Sequence, residues 1–199
     1  SFDPHIAEAA VTVLTALGYE TVIPEGAHCC GRTAISAGVL DEARTQIEAT
    51  AASLASHDVA AIIVLEPSCL SAIKEEWQEL KTSVDRRTMA ALAEKSCSLE
   101  TFIAQHPRAI DVPTVETPVV VHAHCHAKLD GPVTVEALRR LGYQNVELVD
   151  SGCCGMAGSF GYMRATDGLS RAIAEDSLGK AMGSRGEAVV VAAGTSCRH

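Results

Sequence analysis

The sequence predicts an α/β fold made of two pseudo-repeated units, each a small parallel sheet flanked by helices. Three observations carry this. A shift of 124 positions lays "ALGYETVIPEGAHCCG" (16–31) on "RLGYQNVELVDSGCCG" (140–155) without a gap, with seven identities in sixteen: Leu17, Gly18, Tyr19, Val22, Cys29, Cys30 and Gly31 match Leu141, Gly142, Tyr143, Val146, Cys153, Cys154 and Gly155. Further along, "AAIIVLEPSC" (60–69) parallels "AVVVAAGTSC" (188–197), each an apolar run ending in Ser-Cys. Self-similarity of this kind marks a duplicated structural unit. Finally, continuously apolar short runs alternate with segments of helical period, the pattern of parallel strands covered by helices.

The elements follow in order. Residues 5–17 set Ile6, Ala9, Ala10, Val13, Leu14 and Leu17 on one helical face, and Gly18 suits the C-terminal cap. A short strand is expected near 20–23 and a helix over 41–56 with Asp41 as N-cap. Ala61–Leu65 reads as a buried strand. Residues 73–106 read as mostly helical, and Pro107, Pro113 and Pro118 then break the chain. In the second unit "PVVVHA" (118–123) is a strand, 133–141 a helix, 146–149 a short strand, 168–178 a helix and 188–192 a strand. The expected division is a first unit with a helical insert over 1–106, a linker over 107–117 and a second unit over 118–199. The same shift sets the counterpart of Cys125 at Ser1, so the first unit's opening strand is expected before residue 1, in a longer protein.

Composition narrows the function classes. The chain has 199 residues, 47% hydrophobic and 21% charged, an ordinary globular balance. A formal charge of −9 without basic blocks argues against a nucleic-acid surface. No apolar run approaches the roughly 18 residues of a membrane span, and no secretion signal is visible. Eight cysteines are too sparse for a disulfide scaffold. A cytoplasmic setting with reduced thiols is expected, with peripheral attachment at the inner membrane face left open. Metal or redox chemistry is the starting point. Gly155, Gly158 and Gly161 do not form a dinucleotide fingerprint, and there is no nucleophile elbow or closely spaced ferredoxin cysteine run.

Cys125, Cys153, Cys154 and Cys197 each stand at or soon after the end of an expected strand. Parallel strands present their carboxyl ends on one rim, where ligands bind, so these thiols are expected to converge. Neighbouring residues rarely aim both side chains at one centre, as a tetrahedral ion would require. A cluster offers several irons to adjacent thiolates. An iron–sulfur cluster is therefore favoured over zinc, and zinc stays open. Gly155 allows a tight turn and close backbone approach, and the N–H groups of "CCGMAGSFG" could donate to cluster sulfurs. The first unit supplies Cys29, Cys30 and Cys69, with its fourth thiol absent. Glu66 is a candidate carboxylate ligand, although capping a helix that starts near Ser68 is the favoured role. Cys97 has no repeat partner and reads as a simple thiol. In "HAHCHAK" (122–128), His124 or His126 is the candidate for metal contact and His122 reads as structural. Lys128 and Arg32 could balance thiolate charge, Arg198 and His199 end the chain, and no residue is assigned as catalytic.

The segments "HCCGR", "EPSCL", "HCHAK", "GCCGMAGSFGY" and "SCRH" resemble the cysteine-rich CCG domain family, which includes the CCG-bearing component of heterodisulfide reductase and the iron–sulfur components of glycolate and lactate oxidation systems. The motif set is most similar to the C-terminal iron–sulfur part of FAD-linked oxidoreductases of the D-lactate and D-2-hydroxyglutarate dehydrogenase type. The resemblance covers nearly the whole chain. It implies a two-lobed α/β fold and an electron-transfer role, in which flavin on an upstream domain oxidises a 2-hydroxy acid and iron–sulfur clusters, 4Fe-4S as the first choice, relay electrons to an acceptor. The family's metal ligands carry over to Cys29, Cys30, Cys69, Cys125, Cys153, Cys154 and Cys197. The implied partners are upstream flavin and ferredoxin-like domains. The fuller family pattern ends each unit in C-x-x-C; here Glu66 and Gly194 take the first of those positions, which speaks against a non-cubane cluster. Some members hold zinc in one unit. The isolated chain is expected to be inactive on substrate. Two alternatives belong to other classes: a zinc-stapled structural or docking module, and thiol–disulfide chemistry of the heterodisulfide reductase kind.

Overall fold

The repeated Leu-Gly-Tyr closes a helix in each half of the chain. After the helix Pro4–Ala16 (α1), Gly18 at φ +84° lets its N–H reach the Thr15 carbonyl (2.9 Å) while the Tyr19 N–H reaches Leu14 (3.0 Å). After the helix Gly131–Arg140, Gly142 at φ +94° repeats both bonds, to Arg139 (3.0 Å) and from Tyr143 to Leu138 (3.1 Å). This paired bonding satisfies the last helical carbonyls and needs a left-handed residue, which glycine supplies without strain. The computed structural model describes residues 3–26, 29–107, 109–183 and 185–199, with the side chains of residues 128 and 129 left aside. It divides into two compact units, Asp3–Leu99 and Glu100–His199. The expected α/β class, with small parallel sheets flanked by helices, is what the chain forms.

In the first unit, α2 (Arg32–Ser36) leads into α3 (Leu40–Ala55), which buries Ala43, Ile47, Thr50 and Ala51 at helical spacing. These pack with Cys30, Ala72, Ile73, Trp77, Met89 and Leu92 into one core. The parallel pair β1 (Ile62–Ile63) and β2 (Ser96–Cys97) joins Ile62 to Ser96 and Ile63 to Cys97. Between them run α4 (Pro67–Lys74), α5 (Glu76–Glu79) and α6 (Arg86–Lys95).

Several expectations need correction here. Residues 20–23 form no strand, and Val22 and Ile23 are 53% and 75% exposed. Their second-unit counterparts become a strand by pairing with a central neighbour, for which the described first unit has no equivalent. The run Ala61–Leu65 shortens to the two residues of β1, and the insert 73–106 is interrupted by β2. Asp41 lies inside the first turn of α3 rather than capping it. The cap is Val39, set there because its N–H closes α2 on Ala34 (2.9 Å). Asp41 still favours the helix start electrostatically.

The division falls at the start of α7 (Leu99–Ala104), ahead of the expected linker 107–117. The reason is local bonding. Arg140, on α8 (Gly131–Arg140), donates to the carbonyls of Ala104 (2.6 Å) and His106 (2.5 Å), and Val115 forms a parallel bridge with Tyr143. The second sheet has order β4-β3-β5, all parallel: β3 (Val119–His122) is central, with β4 (Val146–Val149) and β5 (Val189–Ala192) on either side. Every residue of β3 is buried. Val119 and Val121 meet Val135 and Val146 in a second core. The register pairs His122 with both Val149 and Ala192, so all three strands end level. Two 3₁₀ turns (Cys125–Asp130 and Phe160–Tyr162), α9 (Asp167–Ala174), a π turn (Glu175–Gly179), α10 (Lys180–Met182) and α11 (Thr195–Arg198) complete the unit. Among the described residues no helix is long and apolar enough to cross a membrane.

Candidate metal centre

The level ends of β3, β4 and β5 form one rim, and the second-unit cysteines follow it directly. Cys125 opens the 3₁₀ turn after β3, Cys153 and Cys154 follow β4, and Cys197 lies in the single turn of α11 after β5. Cys154 and Cys197 bring their sulfurs to 3.5 Å. The first unit repeats the contact: Cys30, the second residue of its Cys-Cys-Gly, meets Cys69, in the first turn of α4, with sulfurs 2.9 Å apart. Residues 39 and 43 positions apart are thus brought together in the same way in both units.

Each corner is held by equivalent devices. Gly31 and Gly155 take left-handed φ of +83° and +87°. A Cβ on Gly155 would lie 2.2 Å from the Ser170 carbonyl oxygen; on Gly31 it would lie 2.8 Å from Ile47 Cγ1. A hydroxyl then anchors the first cysteine's carbonyl: Thr50 Oγ1 donates to Cys29 O (3.0 Å) and Ser177 Oγ to Cys153 O (2.6 Å). Backbone N–H groups of the turn point at sulfur. Gly155 donates to Cys153 Sγ (3.3 Å), while Arg32 and Met156 donate to Cys30 and Cys154. These donors reach the cysteine sulfurs themselves.

Electrostatics prepare one thiolate per corner. Cys154 is lowered to about 4, first by its hydrogen bond with Cys197 and next by that with His122, against the opposing effect of burial. Cys30 is lowered to about 7, chiefly by its hydrogen bond with Cys69, whose own thiol is pushed up by sharing that proton and by burial. Hydrogen bonds to the charged form favour it.

The candidates do not all converge. Cys29, Cys125 and Cys153 are exposed. Cys125 and Cys153 stand outside the one donor group within 4.8 Å among the described residues, which is His122, Cys154 and Cys197. His122, expected from the sequence to be structural, is the imidazole of that group. It is 3% exposed and its Nδ1 bonds to Ser151 Oγ (2.6 Å). Strand alternation placed His122 and Val121 on opposite faces, but not which face held the rim. His124 is buried; its Nδ1 accepts the His126 N–H (3.1 Å), its ring stacks on His126, and it lies 3.9 Å from Cys125 Sγ. The His124 ring fills the space beside Gly194, where a Cβ would come within 2.0 Å of it. Glu66 caps α4, accepting from the Ser68 N–H (3.4 Å) and Oγ (2.9 Å). The Arg32 guanidinium pairs with Glu76 and reaches Ser71 Oγ (3.4 Å), so its backbone rather than its charge serves the cysteine corner. Arg198 bonds the carbonyls of Ala192 (3.2 Å) and Ala193 (2.6 Å), fixing the end of β5. Cys97 lies in β2, its thiol pushed up by burial. His28, the Lys128 side chain and Ser1 lie outside the described residues.

Thiolate and imidazole together suit zinc or iron–sulfur centres rather than hard cations. The spacing fits as well: two sulfurs about 2.3 Å from one tetrahedral ion stand about 3.8 Å apart, close to the 3.5 Å of Cys154 and Cys197. The profile of the cysteine-rich CCG domain matches residues 1–74 and 119–199. The chain belongs to that family. The match takes in both Cys-Cys-Gly corners and both Ser-Cys cysteines and leaves out residues 75–118. The chain is similar to the C component of the anaerobic glycerol-3-phosphate dehydrogenase of Escherichia coli (strain K12), at 25% identity over 176 residues, covering 85% of this chain and 44% of that protein. It is also similar to lactate utilization protein A of Bacillus subtilis (strain 168), 28% identical over 168 residues (80% of this chain, 69% of the relative). The B component of the CoM/CoB fumarate reductase of Methanothermobacter marburgensis is 26% identical over 160 residues, 78% of this chain and 30% of the relative. The chain thus spans less than half the length of the E. coli protein.

Proposed function

We propose that this CCG chain is the iron–sulfur electron-transfer module of a flavin-linked oxidoreductase acting on 2-hydroxy acids. The observation that carries it is the duplicated sulfur contact, Cys30 with Cys69 and Cys154 with Cys197, each at a Cys-Cys-Gly corner whose N–H groups face sulfur. Two such corners in one chain suit a relay. The relatives named for a dehydrogenase component, lactate utilization and a reductase component support an oxidoreductase setting. Bound iron–sulfur centres would supply one-electron chemistry. The protein's own part is to supply thiolates from Cys29, Cys30 and Cys69 and from Cys125, Cys153, Cys154 and Cys197, and to tune them through backbone donors. Flavin and ferredoxin-like segments belong to other parts of the assembly, which we place in the cytoplasm.

Anaerobic purification of the whole protein tests this. Iron and acid-labile sulfide with visible absorption that bleaches under reductant are expected; colourless protein holding zinc alone overturns it. The His122, Cys154 and Cys197 group favours a second reading, a zinc-stapled docking module. There, Cys154→Ser would lower stability without changing any redox signal.

A further inference from the structure

We propose that His122 Nε2, Cys154 Sγ and Cys197 Sγ bind one and the same metal atom, giving the second unit a mixed imidazole–thiolate centre. This rests on the reading that the Cys-Cys-Gly corners hold metal, and it names the ligands of one of them.

A ring nitrogen of His122 and the sulfurs of Cys154 and Cys197 lie within 4.8 Å of one another, and Nδ1 is the nitrogen engaged by Ser151. The two sulfurs stand 3.5 Å apart, close to the roughly 3.8 Å between two thiolates on one tetrahedral atom. In a four-iron cluster each thiolate goes to its own iron, which sets ligand sulfurs farther apart. The trio therefore describes a single ion, or one iron that takes several protein ligands.

The imidazole is prepared for ligation. His122 ends the central strand, buried on the face opposite Val121, and the level ends of β4 and β5 flank it. Its Nδ1 is taken by Ser151 Oγ at 2.6 Å, and Ser151 is itself 5% exposed. Metal-bound histidines characteristically give their second ring N–H to such a partner, which fixes the tautomer and leaves the other nitrogen its lone pair. In the tautomer that donates Nδ1–H to Ser151, Nε2 keeps its lone pair for a metal, which then takes the place of the hydrogen bond joining His122 to Cys154 in the metal-free chain. His124 is the contrast: its Nδ1 already accepts the His126 N–H. Binding displaces to solvent the one proton that Cys197 donates to the Cys154 thiolate, and the imidazole enters neutral. Cys125 and Cys153, both exposed, are the thiols left to complete the sphere.

The test uses the full chain, reduced and without oxygen, carrying Cys69→Ser to silence the first unit, and Zn2+ or Co2+ as probe. One equivalent should bind with nitrogen in the coordination shell by X-ray absorption. His122→Ala should lose that nitrogen and bind at least tenfold more weakly. His122→Cys should bind with sulfur in its place and stronger thiolate-to-cobalt charge transfer; this variant carries the test where alanine fails to fold. Ser151→Ala should weaken binding about 10–100-fold with the ligand count unchanged. A sulfur-only shell, identical with and without His122, overturns the ligand assignment and leaves the metal centre standing. Folded protein that binds neither metal overturns the metal reading and this inference with it.

Discussion

The indole N–H of Trp77 donates to the carbonyl of Cys30 at 2.9 Å, and Trp77 is 1% exposed. The chain's single tryptophan thus lies directly beneath the first Cys-Cys-Gly corner. Tryptophan emission should therefore report on that corner. Removing metal from an intact first unit should change Trp77 fluorescence, with an increase where the metal is an iron cluster. Trp77→Phe should cost about 1–3 kcal/mol by urea unfolding, since the Cys30 carbonyl loses its donor inside the core; no loss would separate the indole from the corner.

The two corner glycines should differ in tolerance. A Cβ at Gly155 meets a backbone oxygen at 2.2 Å, whereas at Gly31 it meets the movable side chain of Ile47 at 2.8 Å. A left-handed non-glycine residue costs about 1–2 kcal/mol at either position. Gly155→Ala should add overpacking of about 1–3 kcal/mol and lose second-unit metal, while Gly31→Ala keeps more of its own. Urea unfolding with metal analysis of both variants decides; equal losses would count against the backbone clash.

Thiol reactivity should follow pH differently in the two units. In metal-free reduced protein, Cys154 is lowered to about 4 and Cys30 to about 7. A depressed pKa keeps the thiolate present to lower pH, so between those values Cys154 stays reactive while Cys30 becomes protonated. Its contribution to stability has the same sign: present above the ordinary thiol range and lost as pH falls through the folded value. Cys69 and Cys97, both raised, keep their protons there. Iodoacetamide labelling read by mass spectrometry should show Cys154 modified at pH 5.5 and Cys30 spared. Equal labelling of both at that pH would contradict the assignment.

What the sequence disclosed was the repeat and what the repeat does locally. Leu-Gly-Tyr specified the same helix cap twice, and the shared Cys-Cys-Gly and Ser-Cys stretches specified the same sulfur contact twice. Those features depend on residues near in sequence or on apolar strands that aim at one rim. Strand β2 was not legible, because Ser96 and Cys97 pair with β1 through backbone bonds that their side chains do not advertise. Residues 20–23 carry a strand-like pattern without a neighbour to pair with. The partner of His122 was not legible for a tertiary reason: its Nδ1 meets Ser151 Oγ, 29 residues away. Among the three histidines in five residues, the His124 ring packs beside Gly194, a contact that only the fold makes.

The hydroxyl anchors give the sharpest check that the two corners are independent copies of one device. Thr50 Oγ1 holds the Cys29 carbonyl at 3.0 Å, and Ser177 Oγ holds that of Cys153 at 2.6 Å. Each hydrogen bond is worth about 1 kcal/mol net. Its larger effect should be positional, since partners behind a ligand typically change metal affinity about 10–100-fold. Thr50→Val should weaken metal retention in the first unit and spare the second; Ser177→Ala should do the reverse. Chelator competition on each variant, with Trp77 emission following the first unit and cobalt absorption in Cys69→Ser protein following the second, separates the two. If either substitution emptied both corners equally, the anchors would be supporting the fold at large rather than the cysteine turn each one touches.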